Sequence, residues 1–176
     1  MRKIIDSKIH TEELPIFKFA IREDLKDCET SFLPTRVEQC ATGWDVKAAF
    51  YDREQIKVYP DHSIKIPLGF RTFPQKGWWF ELKPRSSSFA KKHLHCLYGT
   101  IDETYESELI LCATFMPGRS DISYLMIEFG ESLGQIIPVK RQEMIIQEIS
   151  NEEYDILCKQ RNATRGTGGF GSSDKK

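Results

Sequence analysis

The run "IKVYPDHSIKIPLGFRTFPQKGWWFELKP" at residues 56–84 decides the fold class. It contains "IKVYP" at 56–60, "SIKIPLGF" at 63–70 and "GWWFELKP" at 77–84, each rich in β-branched or aromatic residues and cut off by proline or glycine. Proline removes a ladder donor and glycine frees the backbone, so each stretch reads as a strand ended by a turn. Downstream, "SELILCATF" at 107–115, "DISYLMIEFG" at 121–130, "GQIIPV" at 134–139 and "EMIIQEI" at 143–149 continue the pattern. Short strands at this spacing, with few helical stretches between them, predict an all-β, jelly-roll-like barrel.

One short helix is predicted late. "SNEEYDILCKQ" opens with Ser150 or Asn151 as cap, carries Glu152 and Glu153 in its first turn, and puts Tyr154, Leu157 and Cys158 on one face. It ends near Asn162, and the chain closes on "TRGTGGFGSS" followed by Asp174, Lys175 and Lys176. Glycine weakens regular structure, so residues 163–176 are expected to be a flexible, glycine-rich C-terminal arm on a single β domain over 1–162. An arginine (Arg165) and a phenylalanine (Phe170) inside that arm are not needed for solubility.

At 176 residues, 40% of them hydrophobic, the chain is long enough to bury one core. A net charge of -1 gives no general electrostatic case for a nucleic-acid duplex or an anionic membrane, so any phosphate site must be built locally. No stretch is apolar enough to span a bilayer, and "MRKIIDSKIHTEELP" lacks an apolar signal core. The five cysteines contain no C-x-x-C pair, which favours reduced thiols in a cytoplasm over a disulfide framework or a zinc site. His93 and His95 alternate, so on a strand they would face the same way; partly buried polar side chains are the plainer reading than a metal pair.

Four further segments carry polar residues suited to nucleotide chemistry. "ATGWDVKAA" at 41–49 sets Asp45 beside Gly43, ahead of a strand, and "PRSSSFAKK" at 84–92 joins Arg85 to three hydroxyls. "GTIDETYESE" at 99–108 holds Asp102 and Tyr105 in a hairpin, and "GESLGQII" at 130–137 supplies Gln135 just inside a strand. With the tail, these five blocks resemble, in order, the five motifs of the trimeric dUTP pyrophosphatase (dUTPase) family, and "LPTRVEQCATGWD" is similar to the family's approach to its first motif. The resemblance spans roughly residues 33–173, which leaves the N-terminal segment 1–32 outside it.

The resemblance implies hydrolysis of dUTP to dUMP and pyrophosphate by water attack on the α-phosphorus, with Mg²⁺, in a homotrimer whose subunits share active sites. Arg85 can fork onto phosphate oxygens while Ser86 and Ser87 offer hydroxyls and turn amides. Asp102 is the implied general base, a role that suits a carboxylate because it is ordinarily ionised near neutral pH. Tyr105 is similar to the tyrosine that packs under the deoxyribose and leaves no room for a 2′-hydroxyl. Thr100 and Ile101 would read uracil through main-chain groups, leaving a cytosine with unpaired polar atoms. Gln135 would position phosphate oxygens or metal-bound water, and Asp45 would hold Mg²⁺ through water. In the arm, Arg165 would meet the γ-phosphate, Phe170 would lie over the uracil, and Gly169, Gly171 and Ser172 would bring amides to the phosphates. Taken singly, Asp45 and Asp102 also read as structural turn residues, Tyr105 as a core tyrosine, and Gln135 as a strand glutamine bonded to a neighbour.

The pattern has departures. Trp44 takes a place usually Tyr or Leu, Ser87 replaces a glycine, Thr104 and Ser107 replace the Asp and Gly flanking Tyr105, and Ser132 takes an arginine place. The nearest rival is dCTP deaminase, or its bifunctional form, which has a similar R-S-S segment; but Cys112 stands where the deaminase glutamate belongs. A non-catalytic nucleotide sensor on the same fold is the other alternative, and it would have lost the base or the arm.

Overall fold

The computed structural model describes residues 14–118 and 121–161. The chain divides into two units, Met1–Arg141 and Gln142–Lys176. The described residues of the first form eleven strands: β1 (Lys18–Ile21), β2 (Trp44–Lys47), β3 (Ile56–Val58), β4 (Ser63–Pro67), β5 (Phe70–Phe73), β6 (Trp78–Pro84), β7 (Leu94–Cys96), β8 (Gly99–Ile101), β9 (Ile110–Phe115), β10 (Leu125–Ile127) and β11 (Ser132–Lys140). A five-residue helix, α1 (Ser86–Ala90), joins β6 to β7. The strands make a four-stranded sheet in the order β2-β11-β6-β8, a three-stranded sheet β4-β9-β7, and the pairs β1-β5 and β3-β10, all antiparallel. The all-β, jelly-roll-like expectation is met.

Period-two alternation builds the core. Leu111, Ala113 and Phe115 of β9 point inward, while Ile110, Cys112 and Thr114 face the other way. They join Phe70, Phe80, Leu82, Ile66, Leu94 and Ile136 in one apolar cluster, and a smaller cluster forms from Leu25, Phe32 and Ala49. Thr72 is the exception: it is 6% exposed, and among the described residues its Oγ1 has no hydrogen-bond partner. Burying an unpaired hydroxyl costs about 1–3 kcal/mol. Thr72→Val, which keeps the β-branched shape, is therefore expected to raise the unfolding free energy by about 1 kcal/mol in a urea titration. A lower midpoint would show that the hydroxyl is satisfied.

The predicted strand boundaries shift where turns intervene. The 63–70 strand breaks at Gly69, whose φ is +79° and where a Cβ would meet the Ala49 Cβ at 2.8 Å. Only glycine fits both restrictions. The 107–115 strand begins at Ile110, because the preceding residues close a loop, and 121–130 contracts to Leu125–Ile127. His93 lies outside β7, with φ +53°, so it does not share a strand face with His95. His95 instead packs edge-on against Phe89, ring centroids 5.1 Å apart. The sequence 143–149 forms no strand: its apolar alternation fits one, but strands exist only by pairing, and no ladder among the described residues takes it.

In the second unit the predicted helix is α2 (Asn151–Arg161). Ser150 is the cap, its Oγ accepting from the Glu153 amide at 3.1 Å. Glu152 and Glu153 open the helix and Lys159 and Arg161 close it, each sign at the end the helix dipole favours. The arm expected from residue 163, with Arg165, Gly169, Phe170, Gly171 and Ser172, lies outside the described residues. All five cysteines are free, and burial pushes the Cys96 thiol up to about 11. No helix among the described residues is long and apolar enough to cross a membrane.

Candidate active site

The centre of the four-stranded sheet carries the first group of polar residues. Register sets Asp45 of β2 opposite Gln135 of β11, and Gln135 opposite Lys83 of β6. Directly opposed side chains share a face, and because neighbouring Val46 is buried in the core, this row faces away from it. Gly43, just before β2, is required here: a Cβ would collide with the Gln135 carboxamide. Gln135 Nε2 donates to the Pro84 carbonyl at 3.4 Å, which turns the side chain along the sheet.

Arg85 follows β6 and caps α1 in an extended conformation. Its amide donates to the Leu133 carbonyl at 2.9 Å, its Nη1 to the Ser132 carbonyl at 3.5 Å, and its Nε lies 3.4 Å from Asp45 Oδ2. The buried Ser88 hydroxyl donates to the same Leu133 carbonyl at 2.6 Å, so β11 grips the loop twice. Ser88→Ala removes one of these bonds and is expected to lower stability by about 1 kcal/mol in thermal or urea melts. Full stability would show that the bond contributes nothing.

Asp45, Arg85, Ser86 and Gln135 line one cavity of about 370 Å³, with Thr42 and Gly43 on its wall and Val37 and Ile137 at an apolar rim. One predicted group is thus brought together: a guanidinium, a hydroxyl, a carboxamide and a carboxylate. Ser87 sits in α1 and does not line the cavity. Sequence reasoning missed Thr42, Lys83 and Ser88; Lys83 pairs with Glu81 at 2.6 Å, and only the strand register reveals it beside Gln135.

The second group stands apart. Thr100 and Ile101 lie on β8, the sheet edge opposite β2, and Asp102 and Tyr105 follow in an exposed loop rather than the expected hairpin, because β8 pairs with β6 while β9 pairs with β4 and β7 in another sheet. With strands roughly 4.8 Å apart, β8 is about 10 Å from β11 and about 14 Å from β2. β8 uses one edge to pair with Phe80–Leu82 of β6, and no strand among the described residues takes its other edge. The Asp102 carboxylate has no ion pair or hydrogen bond among the described residues, whereas its carbonyl accepts from the Tyr105 amide at 3.1 Å.

A relative from Bartonella bacilliformis named deoxyuridine 5'-triphosphate nucleotidohydrolase is 32% identical over 152 residues, spanning 82% of this chain and 83% of the relative. The chain belongs to the dUTPase family. Solved dUTPases share its fold. A Staphylococcus bacteriophage 80alpha dUTPase solved with dUPNHPP matches with a TM-score of 0.69 at 18% identity, covering 89% of this chain and 97% of that one. A phage phi11 dUTPase variant from S. aureus, described with a structural Mg(II) ion, matches with a TM-score of 0.63 at 18% identity, covering 77% and 97%. No protein-family model matches the chain. As for metal, the described residues hold no group of three or more His, Cys, Asp or Glu side chains placed to cage an ion. Asp45, facing Arg85 at 3.4 Å, fits only an ion bound mainly by other ligands.

Proposed function

We propose that this chain hydrolyses dUTP to dUMP and pyrophosphate with Mg²⁺. The reading is carried by the Arg85 cavity: a guanidinium held by β11 beside a hydroxyl, a carboxamide and a carboxylate is a donor set for a triphosphate. Arg85 and Ser86 bind phosphate oxygens, and Gln135 orients an oxygen or a bound water. Asp45 would hold Mg²⁺ through water, and the ion would offset phosphate charge.

The free edge of β8 supplies main-chain donors and acceptors at Thr100 and Ile101 for uracil, and the Tyr105 ring blocks a 2′-hydroxyl. Asp102 accepts a proton from water as its oxygen bonds to the α-phosphorus. The bond from that phosphorus to the bridging oxygen breaks, and the electron pair leaves with pyrophosphate. The loop that follows edge strand β8 stands apart from the cavity, which supports a homotrimer with shared sites in which a second copy of the chain completes each site. Arg165, Gly169, Phe170, Gly171 and Ser172 close over the bound nucleotide. Free thiols fit action in the cytoplasm.

Incubation with dUTP or dCTP and Mg²⁺ tests the reading. Pyrophosphate from dUTP alone is expected. Ammonia from dCTP would establish a deaminase instead, and neither product would leave a nucleotide sensor.

A further inference from the structure

The loop that carries Asp102 and Tyr105 is held at both ends by carboxylates. At one end, Glu103 Oε2 accepts from the Gly77 amide at 2.8 Å and from Arg141 Nη1 at 3.1 Å, and the Arg141 amide in turn donates to the Gly77 carbonyl at 2.8 Å. At the other, Glu108 Oε1 accepts from the Gly69 amide at 2.7 Å and Arg22 Nη1 at 2.9 Å, while its Oε2 accepts from the Tyr51 hydroxyl at 2.9 Å.

Arg22 is itself fixed. It forks onto Asp24 at 2.7 and 3.0 Å, donates to the Ala49 carbonyl at 2.8 Å, and lies 3.9 Å above the Tyr51 ring. Burial works against its charge, but the Asp24 hydrogen bond and the Glu108 and Asp24 charges outweigh it and raise its pKa. The hydrogen bond to Glu108 likewise raises the pKa of Tyr51. Both members of the Arg22–Glu108 pair are largely buried, with 15% and 18% of their side chains exposed, so this pair is shielded from the screening that weakens surface bridges. Leu109 continues the anchorage through backbone bonds of 3.0 Å to Phe70 and Leu68. Between the two anchors, the Tyr105 hydroxyl donates to the Glu108 carbonyl at 3.3 Å.

We infer that Glu103 and Glu108 are positioning residues: they clamp the two ends of the 102–108 loop so that Asp102 and Tyr105 hold their aim without a tether on the Asp102 carboxylate. The inference rests on the dUTP reading above. Neither carboxylate belongs to the phosphate cavity, and each acts through the loop backbone. A displacement of about 1 Å at a reacting group can cost on the order of 100-fold in rate.

The test compares Glu103→Gln, Glu108→Gln and Tyr51→Phe with the unaltered protein. Tyr51 is 69% exposed, so its phenylalanine variant folds even where loss of the buried Glu108 charge does not. Two quantities are read: amide hydrogen exchange of the peptide spanning 99–109, and the ratio of kcat/KM for dUTP over UTP. Faster exchange in that peptide is expected in every folded variant. A fall of roughly tenfold or more in the dUTP/UTP ratio is expected for the glutamate variants, and a smaller one for Tyr51→Phe. Unchanged exchange would overturn the clamp. Faster exchange with an unchanged ratio would overturn the positioning role. An unaltered protein that turns over neither nucleotide would overturn the dUTP reading, and the positioning role with it, while exchange would still report on the clamp.

Discussion

Asp102→Asn is expected to leave the protein folded and able to bind dUTP while lowering turnover by roughly 10²–10⁴-fold, the usual contribution of a positioned general base. The side chain is exposed and makes no ion pair or hydrogen bond among the described residues, so an isosteric amide disturbs no packing. What the amide loses is a lone pair able to take the water's proton. The expected loss corresponds to about 3–5 kcal/mol of transition-state stabilisation. Pyrophosphate release and dUTP affinity, measured on the same preparation, check it. A variant as fast as the parent would remove Asp102 from the chemistry.

Arg85→Ala is expected to lower kcat/KM for dUTP by on the order of 10²-fold or more, since each hydrogen bond to a charged group is worth about 1.5–3 kcal/mol and a guanidinium can make two of them to phosphate. A second effect adds to this. Asp45, whose side chain is 15% exposed, loses the cation 3.4 Å away and turns an uncompensated negative charge toward the incoming triphosphate. Arg85→Lys should recover little, because an ammonium restores the charge but not the fork that reaches both phosphate and Asp45. Steady-state kinetics with dUTP decide it, and a lysine variant with parental kcat/KM would show that only net charge matters at this position.

Most of the fold could be read from the sequence because alternation and punctuation agree in the central run: Pro60, Gly69 and Gly77 end or separate strands that pair as antiparallel ladders. The helix at Asn151–Arg161 was equally plain, its Ser150 cap and charged ends being local signals. What the sequence could not convey was pairing. The 143–149 stretch has the right alternation and no ladder among the described residues, and the row Asp45, Gln135, Lys83 exists only through register.

Asp45, Arg85, Ser86 and Gln135 were legible as motif residues, and they line one cavity. The supporting contacts were not legible. Ser88, Glu103 and Glu108 carried no local signal of these contacts, because their partners Leu133, Arg141 and Arg22 are distant in sequence.

Turnover of dUTP with Mg²⁺ in water enriched in oxygen-18, with both products read by mass spectrometry, shows which phosphorus the water attacks. Attack on the α-phosphorus puts the label in dUMP and leaves pyrophosphate unlabelled. Label in pyrophosphate, or release of inorganic phosphate in its place, would mean that the water attacks a different phosphorus.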